Sequence, residues 1–206
     1  MPSTVTSLFA AAGVRPLDAV PWGVAVSPTA GPGVYAIARH WDPDATTAPK
    51  MEVDPLRVSQ LLALRTELRV DGVRPCVAEL SDRLISLGFS DEPVLYIGLA
   101  GSSLHNRLDQ FYRTRPGARS PHAGGWPLKY VSELDACWVH LGPCATSTVN
   151  RAEFTFRAAF LASVSPQSRA KAVDSTLPLP YANLEIRDAD RRTRKRKAHG
   201  ITGATA

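Results

Sequence analysis

Thr29-Ala30-Gly31-Pro32-Gly33-Val34-Tyr35-Ala36-Ile37-Ala38 is a glycine- and proline-rich turn that runs into a strand. Alternation from Val34 onward puts Tyr35 and Ile37 on one sheet face and Val34 and Ala36 on the other. Its counterpart is Val94-Leu95-Tyr96-Ile97-Gly98, entered after the break at Asp91-Glu92-Pro93, with Tyr96 facing away from Leu95 and Ile97.

Between these strands lie two helices. Asp54-Pro55 reads as an N-cap followed by proline at the first helical position, and Val58, Leu61, Leu62 and Leu68 give an apolar stripe. A second helix starts after Pro75, uses Val77, Leu80, Leu84 and Leu87, and stops at Gly88. This insert, about residues 41–93, holds 10 acids against 6 bases. It would repel a polyanion and suits a lid, a packing element or a dimer contact.

Beyond the second strand, a helix begins at Ser102 or Ser103 with Leu104, Leu108 and Phe111 on its apolar face, and Arg107 shares that face. Thr114 to Gly125 reads as a basic loop closing on His122-Ala123-Gly124-Gly125. Strands are expected near Leu128–Val131 and at Ala136–Leu141, then a helix over about Val149–Ala162, where Glu153 borders the stripe of Phe156 and Phe160. Leu177-Pro178-Leu179-Pro180 holds the chain extended up to Asn183. Residues 1–32 form an N-terminal extension with a short helix around Leu8–Ala12, and residues 187–206 form a basic C-terminal tail of the kind that is usually solvated.

With 206 residues, 44% hydrophobic and 21% charged, the chain has the composition of one folded core with embellishment. It lacks both an apolar run of about 20 residues and a basic-then-apolar leader, so the expectation is a cytoplasmic protein with no membrane partner. Cys76, Cys137 and Cys144 are odd in number and dispersed, against a disulfide framework; Cys137, His140 and Cys144 lack the second cysteine pair of a zinc site. The net charge is +5 and unevenly spread: residues 1–93 carry 8 bases and 11 acids, residues 94–206 carry 16 and 8. A surface facing an anionic polymer therefore belongs to the second half.

Phosphodiester hydrolysis needs a base to activate water, a cation near the developing charge and a hard metal on a phosphoryl oxygen. Arg107 and Glu153, charges on apolar helix faces, supply a guanidinium fork for phosphate and an oxygen ligand that magnesium prefers. The ordered set Gly33-Val34-Tyr35, Tyr96-Ile97-Gly98, Arg107, Glu153 and Asn183 resembles the GIY-YIG nuclease superfamily over Gly33 to about Leu184. The resemblance implies an α+β fold, a small antiparallel three-stranded sheet flanked by helices. The helical insert would lie between its first two strands, and the domain would span residues 33–186.

By that resemblance Tyr35 activates or positions the attacking water, and Tyr96 hydrogen-bonds near the scissile phosphate. Arg107 stabilises charge there, Glu153 holds a single Mg²⁺ (or Mn²⁺), and Asn183 orders the site. His122, in a His-x-Gly-Gly run like that of some bacterial relatives, is assigned a proton-shuttle or phosphate-contact role. Two features depart from the family: the long insert, and Phe111 where some restriction-type relatives place a histidine.

The implied partner is DNA, single- or double-stranded, with Arg113, Arg115, Arg119, Lys129, Arg191, Arg192, Arg194, Lys195, Arg196 and Lys197 as contacts. Cutting both strands with one site per chain would favour a homodimer. Two other readings stand beside the DNA endonuclease: a catalytically silent nucleic-acid binding module of the same fold, and a structural partner protein docked through the insert.

Overall fold

Helix α1 (Val5–Ala12) and a two-residue strand β1 (Val20–Pro21) lead to β2 (Gly33–Ala38), whose six residues are all buried. Next come α2 (Pro55–Leu64), β3 (Arg69–Val70), α3 (Val77–Ile85), β4 (Val94–Ala100), α4 (Leu104–Arg113), β5 (Trp138–Pro143), α5 (Val149–Ser163), α6 (Pro166–Lys171), β6 (Glu185–Arg187), β7 (Thr193–Lys195) and β8 (Ile201–Thr202). The computed structural model describes residues 3–90, 92–118, 120–121, 124–187, 193–196 and 199–204. None of the described helices is long and apolar enough to cross a membrane.

The fold is α+β. Its main sheet is antiparallel, in the order β1-β5-β2-β4. A strand buried along both faces needs cover on both sides, and β2 has it. Val34, Ala36 and Ala38 pack in one cluster with Leu8 and Phe9 of α1 and Phe156 and Phe160 of α5. Tyr35 and Ile37 pack in the other, with Val58 and Leu61 of α2, Leu80 and Leu84 of α3, and Leu104, Leu108 and Phe111 of α4. The alternation expected for this strand is therefore present.

Four departures from the sequence reading have physical causes. The main sheet has four strands, not three, because the N-terminal extension runs along β5: Leu17 N–H donates to Leu141 O, and Val20 and Pro21 pair with Val139 and Trp138. Proline is tolerated there because the edge asks no donor of it. Leu95 does not face away from Tyr96. The register slips between Ile37 and Ala38, Val94 becomes the partner of Ala38, and the extra residue Leu95 packs in the same cluster as Tyr96. The strand expected near Leu128–Val131 is a 3₁₀ helix, Trp126–Tyr130, begun by Gly125 at φ 71° and by Pro127. The next strand begins at Trp138, after a second 3₁₀ turn at Leu134–Ala136.

The largest departure is the C-terminal run. Rather than a solvated tail, its described parts are folded: β7 pairs with β6, and β8 pairs with β3 inside the insert. Arg196 is 3% exposed. Its guanidinium donates to the carbonyls of Leu87, Leu179, Pro180 and Tyr181, and burial lowers its pKa to about 10. Arg196 therefore has no donor face left for DNA. It bridges the end of the insert to the proline segment. In the insert, α2 is capped as expected by Asp54, whose carboxylate accepts from the Leu56 and Arg57 N–H groups, whereas α3 ends at Ile85, short of the expected stop at Gly88.

An Arg196→Met replacement strands these buried carbonyls and is expected to cost about 3 kcal/mol. Lys195→Ala, on an exposed residue, should stay within about 0.5 kcal/mol. Urea unfolding midpoints of the two variants check this contrast.

Candidate active site

Cross-strand pairing places Tyr35 opposite Gly98 and Ile37 opposite Tyr96, so the two tyrosines lie on the same face with ring centroids 6.0 Å apart. Gly98 makes this possible. A Cβ there would stand 2.5 Å from Tyr35 Cζ and 2.8 Å from Tyr96 Cε1, so only glycine lets the Tyr35 ring cross the neighbouring strand. Gly125 does the same for the other side of Tyr96: at φ 71° its Cβ would meet Tyr96 Cε2 at 2.8 Å and Phe111 Cζ at 2.9 Å. Gly125 therefore lies against the Tyr96 ring. His122 itself is outside the described residues.

Arg107 comes from α4, whose N-cap Ser103 accepts from Asn106 N–H. It is half-buried, and its Nε is shielded without a hydrogen-bond partner. The far end of α4 is held by Lys129, whose Nζ donates to Phe111 O (2.6 Å) and Tyr112 O (3.3 Å) and lies 5.1 Å from the centroids of the Trp22 and Phe111 rings. Burial, with Arg57 nearby, lowers its pKa to about 8. Lys129 was expected on a DNA-facing surface; instead it is a buried cap for the last carbonyls of α4.

Glu153 enters from α5, its side chain 13% exposed. Its Oε1 accepts a 2.5 Å hydrogen bond from Nη2 of Arg157, one helical turn on. The same Nη2 donates to Ile97 O (3.0 Å), and Nη1 donates to Glu185 O (3.1 Å). Arg157 is the site residue that sequence reasoning missed. The signal was there in the i, i+4 spacing from Glu153, which can form a helix pair. Asn183 is 2% exposed and spends both side-chain groups on one residue: Oδ1 accepts from Ile97 N–H and Nδ2 donates to Ile97 O, each at 2.8 Å. It thereby fixes β4 at Ile97.

Tyr35, Tyr96, Arg107 and Glu153 thus converge. Desolvation pushes the Tyr35 phenol well above its usual value, with Tyr96 adding to the rise and Arg107 opposing it. Tyr96 is raised for the same first reason, opposed by Arg157. The Glu153 carboxyl is also raised by burial, against the pull of Arg157, Arg187 and Arg107. The Tyr35 hydroxyl is buried beside the Arg107 guanidinium and the Tyr96 phenol, without a hydrogen bond of good geometry.

Among the described residues no group of three or more His, Cys, Asp or Glu side chains is placed to hold a metal. Glu153 is the carboxylate of the cluster, and its Oε2 makes no hydrogen bond to a described residue. One such oxygen fits a single hard cation held weakly, the remaining ligands being water and substrate oxygens.

Of the expected phosphate contacts, Arg113, Arg115, Arg194 and Lys195 are exposed, and Arg113 also pairs with Asp109 at 2.9 Å. Arg119, Arg191, Arg192 and Lys197 lie outside the described residues. Compared with protein-family models, with curated proteins and with solved structures, the chain matches none significantly.

Two outcomes test this geometry. Arg157→Met leaves Glu153 buried and uncompensated and should cost about 3 kcal/mol. Arg107→Met, at a half-buried residue whose Nε has no partner, should cost less than about 1 kcal/mol; chemical unfolding separates them.

All five tyrosines, Tyr35, Tyr96, Tyr112, Tyr130 and Tyr181, have pKa values raised by burial, Tyr112 to about 12. The folded chain keeps these protons where the unfolded chain loses them, so their contribution is complete below pH 10 and declines as pH rises toward 12. Absorbance titration should show almost no phenolate at pH 10 in native protein and about half-ionised tyrosine in guanidinium.

Proposed function

We propose that this chain is a DNA endonuclease of the GIY-YIG type, dependent on Mg²⁺ or Mn²⁺, that hydrolyses phosphodiester bonds. The observation that carries the reading is the convergence of Tyr35, Tyr96, Arg107 and Glu153 from four different elements on one polar cluster inside an apolar core. Two buried phenols and a mostly buried carboxylate with raised pKa values, beside a half-buried guanidinium, form the kind of perturbed cluster that gathers at functional sites.

Each residue has a distinct task. Arg107, half-exposed and with an unpaired Nε, meets the phosphate and offsets its developing charge. Tyr35 and Tyr96 remain neutral phenols through physiological pH, so they orient the water and a phosphate oxygen by hydrogen bonding. Glu153 would hold the cation, whose chemistry is Lewis-acid polarisation of a phosphoryl oxygen. Asn183 and Arg157 hold β4 and the carboxylate in place.

One observation favours a second reading. The Glu153–Arg157 ion pair engages the metal-binding carboxylate, which a silent nucleic-acid binding module would tolerate better than a nuclease.

Supercoiled plasmid incubated with Mg²⁺ or Mn²⁺ discriminates the two. Metal-dependent nicking or linearisation, abolished by EDTA and reduced at least about 100-fold in a folded Glu153→Ala variant, is the expected result. Salt-sensitive binding without cleavage of plasmid, single-stranded or branched DNA would establish the binding module instead.

A further inference from the structure

Just past the end of β2, Arg39 N–H donates to Pro93 O at 3.0 Å, and the side chain reaches the irregular segment that opens the insert, where Nη1 donates to Pro49 O. The other edge of the guanidinium is unused. Nε and Nη2 are both buried and neither has a hydrogen-bond partner. These two nitrogens form the side-on fork that meets a planar oxyanion with two parallel N–H···O bonds. Leaving one buried donor unpaired is unfavourable, and here two lie side by side.

The charge of Arg39 is also unbalanced. No carboxylate among the described residues pairs with it. The titratable groups that act on it are the Cys137 thiol and the Tyr181 phenol. Burial raises both, Cys137 to about 12, so both stay neutral at physiological pH. Arg39 lines a cavity of about 30 Å³, beside the buried Met51, Val131 and Cys137, with the exposed Lys50, Glu52 and Glu133 at its mouth. Its walls are tied together: Val53 and Val131 form an antiparallel bridge, Ser132 N–H donates to Glu52 O at 2.9 Å, and the Cys137 thiol donates to Glu133 O at 3.6 Å. One water needs roughly 10–15 Å³. The cavity therefore admits one small head group and no polymer.

We infer that Arg39 and this cavity form a binding site for the carboxylate of a small ligand, held side-on by Nε and Nη2. The mouth decides between oxyanions. Lys50 is drawn to Glu52, at 3.9 Å, and Glu133 adds a second acid. A phosphate dianion meets twice the repulsion from these carboxylates that a monocarboxylate meets. Because the fork is shielded, a ligand enters by displacing the mouth, whose residues 49–52 belong to no helix or strand. The site is built from residues outside the Glu153 cluster, and the inference holds whether or not the chain cuts DNA.

The test is a ¹H–¹⁵N titration of the full chain that follows the Arg39 Nε–H signal, assigned by its loss in Arg39→Lys. Acetate should move that signal saturably, and inorganic phosphate should bind about 10-fold or more weakly. Ala136→Leu, which fills the cavity from the wall opposite no hydrogen bond of Arg39, should keep the signal and abolish its response to acetate. Thermal unfolding gives a second readout, in sodium acetate against sodium chloride of equal ionic strength. Wild type should have the higher Tm in acetate, whereas Arg39→Lys, which keeps the charge and lacks the fork, should melt alike in both.

A signal that drifts linearly with every anion, phosphate bound as tightly as acetate, or saturation that survives Ala136→Leu would each overturn the proposal. Acetate without effect on wild type, whether or not Glu52→Gln/Glu133→Gln uncovers one, would leave the fork to a carboxylate of the mouth or to water and overturn it as well.

Discussion

An edge strand exposes peptide groups that have no neighbour to pair with, and β4 is the edge of the main sheet. At Ile97 the problem is solved by two side chains. Asn183 takes both the N–H and the C=O of that residue, as a partner strand would, and Arg157 adds a second donor to the carbonyl. Beside it Ala182 N–H donates to Leu95 O. Through this one stretch of backbone the proline segment, α5 and β4 are held in fixed relation. Tyr96 on β4 and Glu153 on α5 inherit their separation from it. The remaining site residues depend on the same arrangement at one remove, because Tyr35 finds its place by crossing Gly98 of β4.

Much of this was legible in the sequence because local rules and the fold agree. The alternation of Val34 to Ile37, the Asp54-Pro55 helix start, the helix start at Ser102 or Ser103 and the run of Phe156 and Phe160 each follow from periodicity or capping and hold in the structure. The glycines of the two tyrosine strands were visible as markers, but their reason was not. At Gly98 it lies in a ring from one strand overlapping the backbone of another, and at Gly33 in the close approach of Gly142 O and the Leu104 side chain.

What escaped notice is long-range. Nothing near Val20 and Pro21 announces an edge strand, because that strand exists only through pairing with residues far along the chain. Arg196 was legible as a charge in a basic run and illegible as a plug, since its acceptors are carbonyls of Leu87 and residues 179–181. Lys129 was misread for the same reason. A cation's surroundings are not written in its neighbours in sequence.

The cations consequently divide into two populations. Arg157, Arg196 and Lys129 are interior cross-links that spend their donors on backbone carbonyls, and in Arg157 on a carboxylate as well. Desolvation is tolerable there because several acceptors surround each charge. Arg113, Arg115, Arg187, Arg194 and Lys195 remain outside. Burial therefore takes Arg157, Arg196 and Lys129 out of the surface that meets solvent, and the positive field is more local than composition suggests.

The pairing of β8 with β3 joins residues 201–202 to residues 69–70, so the insert's small sheet is completed only by a strand far along the chain. On a ribosome that makes protein from the N-terminus, α2 and α3 emerge early and wait for a strand translated much later. Closing so distant a contact is slow relative to helix formation. Until then Leu87 O and Val70 lack the partners they have in the finished chain. The order of synthesis thus runs against the order of assembly, and a nascent chain stalled shortly before Arg196 would carry a nearly complete core with an unfinished insert.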